Sequence, residues 1–216
     1  MRACSRCAAL VRCRSRVVPG DGAAPAVVAF VGIAPGRFGG DRTGVPFSGD
    51  RSGHILRRMI EAAGFGPVFI TNLVRCNPRD ERGRNRDPSR SEIANCRPHL
   101  DAELGLVRPT LVACLGRIAW RAMAGKSAAF EPGRGSLVAV DGYLLYAMYH
   151  PGYLVRGAYS ERQYLRDFAR LADFVNRLRR ATPVDELVAP GQAGAAMLCE
   201  ENAGLNETRT GDFRHT

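Results

Sequence analysis

Four short apolar runs, each ending in a polar or glycine-containing turn, constrain this chain more than anything else in it. They are Val-Val-Ala-Phe-Val at 27–31, Val-Phe-Ile-Thr at 68–71, Leu-Val-Ala-Cys-Leu at 111–115 and the segment 143–149. Runs of this length, partly β-branched and bounded by turn residues, read as buried strands. Between them the apolar residues recur at helical spacing. Asp50 or Ser52 is placed to cap a helix carrying Ile55, Leu56, Met59, Ile60 and Ala63, stopped by Gly64. Ser89 or Ser91 begins a second helix reaching about residue 106, and residues 117–123 start a third. A fourth, over 159–180, carries Tyr164, Phe168, Leu171 and Val175 on one side. Strands alternating with helices predict a parallel α/β sheet. In such sheets ligands bind beyond the carboxyl ends of the strands. That rule directs attention to residues 32–49, 71–76, 116 and 150–156.

A chain of 216 residues with 45% hydrophobic content is long enough for one full core, so a single domain is expected over residues 1–181. Residues 182–216 are rich in Ala, Gly, Glu, Asn and Thr without periodicity, and are expected to be a disordered tail. No apolar run approaches the roughly 20 residues of a membrane span. The opening Met-Arg-Ala-Cys-Ser-Arg-Cys has no apolar core after its charges, so it does not read as a secretory signal and a cytoplasmic location is expected. The net charge of +10 suits a polyanionic partner. Lys126 is the only lysine, and arginine offers a planar fork for phosphate. A GC-rich genome produces the same arginine bias with no partner at all, so charge alone leaves both readings open.

Seven cysteines stand at 4, 7, 13, 76, 96, 114 and 199. Their odd number and uneven spacing argue against a disulfide framework, and grouped cysteines in a cytosolic protein point to metal, redox or catalytic chemistry. Cys4 and Cys7 form a C-x-x-C that can chelate one metal centre. Cys76 follows a strand, and Cys96 lies in the helix beyond the next loop. An N-terminal arm folded back onto them makes four thiolates, a set that suits zinc or an iron–sulfur cluster equally. The competing reading is that Cys76 and Cys96 are small core residues. Cys114, inside an apolar strand, and Cys199, in the tail, read as bystanders, while Cys13 is a substitute ligand.

The segment 32–53 is glycine-rich, which lets backbone N–H groups approach a ligand closely. It lacks the G-x-G-x-x-G order of a dinucleotide site and the Gly-Lys-Ser/Thr of a nucleoside-triphosphate loop. At the ends of two strands stand Thr71-Asn72 and Tyr149-His150-Pro151. An asparagine presents an acceptor and two donors in one plane, which can pair with the imide edge of a planar ring. A histidine at a strand end can donate to a developing anion. Each alone reads as structural. Converging with the glycine loop on one sheet edge, they become a site.

Five segments now stand in order: Gly-Ile-Ala-Pro-Gly through Asp-Arg-Thr-Gly-Val-Pro-Phe-Ser-Gly (32–49), Phe-Ile-Thr-Asn-Leu-Val-Arg-Cys-Asn-Pro (69–78), Glu-Ile-Ala-Asn-Cys-Arg-Pro-His-Leu (92–100), Cys-Leu-Gly-Arg-Ile-Ala (114–119) and Tyr-His-Pro-Gly-Tyr-Leu-Val-Arg (149–156). Together with the C-x-x-C, this order resembles the iron–sulfur uracil-DNA glycosylases over about residues 4–178. The resemblance implies a three-layer α/β/α fold around a four-stranded parallel sheet, and a [4Fe–4S] cluster on Cys4, Cys7, Cys76 and Cys96, with zinc as the alternative. It implies a monomeric enzyme acting on uracil-containing DNA, without a membrane partner. Phe47 is expected to stack on an extruded uracil, Asn72 to read its imide edge and His150 to stabilise the departing anion. Gly32, Ile33 and Ala34 are expected to line the pocket. Tyr153, Leu154 and Arg156 are expected on the loop that fills the vacated space in the duplex.

The departures from the pattern matter as much. Family four members carry Glu where this chain has Ile33. Family five members have an apolar residue there and an acidic residue further along the loop, and on that basis Asp41 is expected to be the catalytic carboxylate, with Asp50 second to it. The stretch 77–95 is long and arginine-rich and resembles in composition the insertion of the covalent uracil-binding relatives, but it contains no histidine, so no covalent capture is expected. Arginines 79, 82, 84, 86, 90 and 156 are expected to meet phosphates. The rival reading is an iron–sulfur nucleic-acid-binding protein without glycosylase activity.

Overall fold

A computed structural model describes residues 3–131 and 135–181. The expectation of a disordered tail over 182–216, and Cys199 with it, lies outside these residues. In chain order the elements are α1 (Ala8–Cys13), β1 (Asp21–Gly22), β2 (Val28–Gly32), α2 (Gly40–Thr43), α3 (Arg51–Ala63), β3 (Val68–Asn72) and α4 (Arg90–Val107). They continue with β4 (Leu111–Leu115), α5 (Arg117–Ala124), β5 (Leu137–Val140), β6 (Tyr143–Met148), α6 (Gly152–Val155) and α7 (Glu161–Ala181). Among the described helices none is long and apolar enough to cross a membrane.

The helix boundaries follow local chemistry. Asp50 caps α3 by accepting from the Gly53 N–H at 2.8 Å. Ser89 caps α4 in a reciprocal capping box with Glu92, which satisfies two N–H groups that the helix itself cannot.

The sheet order is β1-β3-β2-β4-β6-β5. The four expected strands are there, parallel and adjacent in the centre. The count of four is corrected to six, because an antiparallel strand closes each edge. β1 is a two-residue pairing in a segment without apolar pattern, so nothing in its composition announces it. β5 did carry a signal: Asp141-Gly142 joins it to β6, with φ of 50° and 80°. Positive φ at both central residues is the turn whose twist matches a two-residue hairpin.

Alternation along the strands sorts side chains to two faces. Ala29, Val31, Val112, Cys114, Leu145 and Ala147 pack with Leu100 and Leu104 of α4 and Trp120 of α5. Val28, Phe30, Ala113, Leu115, Leu144 and Met148 pack with Leu56 and Met59 of α3 and with Tyr164, Phe168 and Leu171 of α7. Helices thus cover both faces, giving the three layers. The carboxyl ends of β2, β3, β4 and β6 all emerge on one edge, which brings the loops after them together.

Candidate functional site

A cleft of about 650 Å³ opens at that edge, lined by residues that include Ile33, Ala34, Phe47, Asp50, Asn72 and His150. Gly32, the last residue of β2, makes their convergence possible. A Cβ there would lie 2.5 Å from two ring carbons of Phe47 and 2.6 Å from Asn72 Oδ1, closer than side-chain carbons approach. Only hydrogen at this position lets the ring and the amide share the space.

Phe47 holds a left-handed backbone conformation, φ 50°, which is costly for a bulky residue and persists only where its surroundings impose it. Arg57 imposes it by donating from Nε to the Phe47 carbonyl at 2.9 Å and from Nη2 to the Pro46 carbonyl at 2.9 Å. The Phe47 ring centroid stands 5.6 Å from that of His150. Asn72, 1% exposed at the end of β3, has an Oδ1 that is buried and without a hydrogen-bond partner. A buried acceptor left open costs free energy, so it marks a place where a donor is expected to arrive.

His150 Nδ1 accepts the Gly152 N–H at 3.0 Å. Burial, and then the charge of Arg156, push its pKa down to about 4, so the ring is neutral at physiological pH. With Nδ1 occupied as an acceptor, the single ring proton is assigned to Nε2. The residue is therefore a neutral donor.

The two carboxylates of the glycine loop have different surroundings. Asp50 lines the cleft, with Oδ1 engaged in its cap and Oδ2 directed at the loop glycines, 3.0 Å from where a Cβ of Gly36 would stand. Asp41 is fully buried and absent from the cleft lining. Its carboxylate accepts the Ser15 N–H at 2.9 Å and pairs with the Arg79 guanidinium. The structure therefore does not bring Asp41 to the cleft: its carboxylate faces the N-terminal arm and Arg79, whereas Asp50 lies on the cleft wall.

Tyr153 and Arg156 line the cleft from α6, with the guanidinium 5.0 Å from the tyrosine ring centroid. Leu154 is not brought to the cleft. It is partly buried against the core on the α3 and α7 side. Of the loop arginines, Arg79 is committed to Asp41, Arg84 to Asp80 at 2.9 Å and Arg86 to Glu92 through two hydrogen bonds.

A second, small cavity is lined by Cys4, Cys7, Cys76 and Cys96 together with Leu10, Arg14 and His99. Three donors reach the sulfurs: Arg14 Nη1 to Cys76 at 3.2 Å, the Arg75 N–H to Cys96 at 3.3 Å and Asn95 Nδ2 to Cys7 at 3.5 Å. Burial raises the thiol pKa of Cys76 and of Cys96, although the Arg14 side chain opposes it at the former and the Arg75 N–H at the latter. His99 Nε2, on the same lining, is buried without a partner. Among the described residues, no three His, Cys, Asp or Glu side chains converge as a single-ion site. Cys13 is turned away, its Sγ donating to the Asn77 carbonyl at 3.3 Å, and Cys114 is fully buried within the sheet.

Sequence reasoning missed the buried group that joins the two cavities. Arg75, 1% exposed, donates from Nη2 to Glu103 Oε2 at 2.6 Å and from Nη1 to the Asn72 carbonyl, while Thr71 Oγ1 donates to the same Glu103 oxygen at 2.7 Å. The available signal was helical spacing, since Cys96, Leu100 and Glu103 share one face of α4.

A mixed α/β sheet, parallel at its centre, carries a polar, aromatic-lined cleft at its carboxyl edge and a four-cysteine cavity besides, which defines an α/β protein with a candidate binding cleft. The sequence profile of the uracil DNA glycosylase superfamily matches residues 19–174. The type-5 uracil-DNA glycosylase of Pyrobaculum aerophilum is 35% identical over 182 residues, covering 68% of this chain and 77% of the relative. The type-4 uracil-DNA glycosylase of Saccharolobus solfataricus is 36% identical over 162 residues, covering 70% and 72%. That of Archaeoglobus fulgidus is 29% identical over 184 residues, covering 81% and 89%. The chain belongs to the uracil-DNA glycosylase superfamily.

Proposed function

We propose that this protein removes uracil from DNA by hydrolysing the N-glycosidic bond, leaving an abasic site. The observation that carries the reading is the unpartnered Asn72 Oδ1, set beside the Phe47 ring and facing a cleft that also holds a neutral, donor-form histidine. Uracil must leave the stack to be reached, at a cost of about a few kcal/mol that is least for mispaired bases. Phe47 then stacks on the extruded ring. Asn72 Oδ1 accepts the imide N–H and its Nδ2 donates to the neighbouring carbonyl. As the bond breaks, His150 Nε2–H donates to the oxygen on which negative charge develops. A neutral imidazole fixed in this orientation serves that role without reorganising. The carboxylate facing the cationic sugar or its attacking water is Asp50, and Asp41 instead holds the loop. Ile33 and Ala34 line the pocket beside Gly32. Tyr153 and Arg156 meet the DNA, while the core packing of Leu154 leaves the wedge role to the tyrosine.

Cys4, Cys7, Cys76 and Cys96 fit a metal centre on three counts: sulfur-directed donors, burial that disfavours uncompensated thiolate, and an open His99 Nε2 on the same wall. Four thiols on one cavity wall suit a [4Fe–4S] cluster, with zinc as the alternative. Bound there, a cluster would serve structure: Cys4 and Cys7 of the N-terminal arm would be joined through it to Cys76 and Cys96, beyond the strand that ends in Asn72. DNA is the partner, and the protein acts as a cytoplasmic monomer.

The test is release of uracil from a labelled oligonucleotide, read as alkali cleavage at the resulting abasic site. Wild type is expected to cleave, and Asn72→Ala to lose most activity. A wild-type protein that binds this DNA and releases no base would sink the reading in favour of a binding module.

A further inference from the structure

Phe38 stands in solvent at the rim of the cleft, 66% exposed. Its chain neighbours Gly36 and Gly40 both line that cleft. The Arg37 guanidinium lies 5.2 Å from the Phe38 ring centroid. That arginine is tethered, donating from Nη1 to the Gly83 carbonyl at 2.9 Å and from its backbone N–H to Asn85 Oδ1 at 3.0 Å. Asn85 Oδ1 also accepts from Asn77 Nδ2 at 2.9 Å, and the same Asn77 amide donates to the Pro35 carbonyl at 2.7 Å. The turn bearing Phe38 is thus tied to the segment after Cys76 through Pro35 and Arg37 before the ring and, through the Asp41–Arg79 pair, after it. An aromatic ring presented on so constrained a support loses little freedom when something stacks on it.

The chemistry of the pair selects the occupant. Every nucleobase offers a π face, and an aromatic ring backed by a guanidinium stacks on it without regard to sequence. Extruding one nucleotide leaves the next base on that strand with one face unstacked. A protein partner would call for a contiguous apolar patch, whereas the residues around Phe38 are Gly36, Arg37, Gly39 and Gly40. We infer that Arg37 and Phe38 form a stacking platform for the base adjoining the extruded nucleotide on the same strand. This rests on the proposed function and goes beyond it.

The test uses the full-length protein and single-stranded oligonucleotides carrying one uracil, with an abasic spacer or 2-aminopurine placed in turn at each flanking position. Phe38→Ala is expected to weaken binding roughly 5- to 150-fold, the range for loss of one base–aromatic stack. Phe38→Trp is expected to retain it, and neither variant to lower the melting temperature. The Phe38→Ala loss should vanish when the stacked neighbour is a spacer, and wild type but not Phe38→Ala should quench 2-aminopurine there. Unchanged affinity in Phe38→Ala overturns the proposal. So does a loss that persists at every spacer position, which would mean a backbone contact. Uracil release by wild type from the same oligonucleotides is scored separately. Its absence defeats the proposed function, while normal release with no Phe38 effect defeats the platform alone.

Discussion

Arg79 closes an ion pair onto Asp41, whose carboxylate is fully buried and turned to the backbone of Ser15, away from the cleft. The pair joins the N-terminal arm, the short helix α2 and the segment after Cys76. It also sets apart the two aspartates of the glycine loop: Asp41 is buried in the pair and Asp50 lines the cleft.

Replacing Asp41 by Ala is therefore expected to act on stability. Removing one partner of a buried pair costs about 3–5 kcal/mol because the other charge is left uncompensated. Thermal melting should show that loss, and the fraction still folded should excise uracil at a near-normal single-turnover rate. Asp50→Asn should do the reverse. Asparagine caps a helix as well as aspartate does, so melting should hardly change, while the rate falls roughly 10²–10⁴-fold, as for a positioned acid–base group. A large rate defect in folded Asp41→Ala with none in Asp50→Asn would reverse the assignment.

The low pKa of His150 sets a direction for pH. An unfolded chain protonates this histidine below 6.5, and the folded protein only below about 4. Between those values the unfolded state binds more protons, so the contribution of His150 to stability is lost as pH falls from about 6.5 to 4. His150→Gln should flatten that part of the melting-temperature profile. Excision by wild type should show no His150 inflection between pH 6 and 8; an inflection near 6.5 that His150→Gln abolishes would show an unshifted, solvent-like histidine.

The Arg75–Glu103 pair should behave as a unit. Arg75→Met alone leaves the Glu103 carboxylate without its cation and is expected to cost about 3–5 kcal/mol in denaturant titration. Adding Glu103→Gln should restore much of it. Additive losses in the double variant would show that the two residues contribute independently.

Metal content separates the cysteines. Wild type should carry about four irons per chain as a cubane cluster. Cys76→Ala should lose them, and Cys13→Ser and Cys114→Ser should keep them. Stoichiometric zinc in their place would reject the cluster and retain the four-thiolate site.

Salt dependence should report which arginines are free for DNA. Each phosphate contact contributes a slope of about 0.9 to the fall of log affinity with log salt on duplex DNA. Arg156→Gln is expected to lower the slope by about that amount. Arg86→Gln should leave it alone, since Glu92 already holds that guanidinium. An equal fall in both would show that the Arg86–Glu92 pair opens on DNA.

The four central strands, the amphipathic helices and the edge of the sheet that carries the cleft were legible in the sequence, because each depends on periodicity and on caps within a few residues. The convergence of Phe47, Asn72 and His150 was legible too, since the α/β alternation sends Asn72 and His150 to strand ends and the glycine loop that carries Phe47 to the same edge. What only the tertiary structure decided is how the polar groups are shared out. Asp41 and Asp50 stand nine positions apart on one glycine loop and look alike in the sequence. Arg79, 38 residues beyond Asp41, takes one of them out of the cleft. Likewise Leu154 stands beside Tyr153 in the sequence, yet it lies partly buried against the core on the α3 and α7 side while Tyr153 lines the cleft. Periodicity specifies which face a residue takes. A buried charge is settled by whichever opposite charge the fold brings within reach, and that partner is distant in sequence.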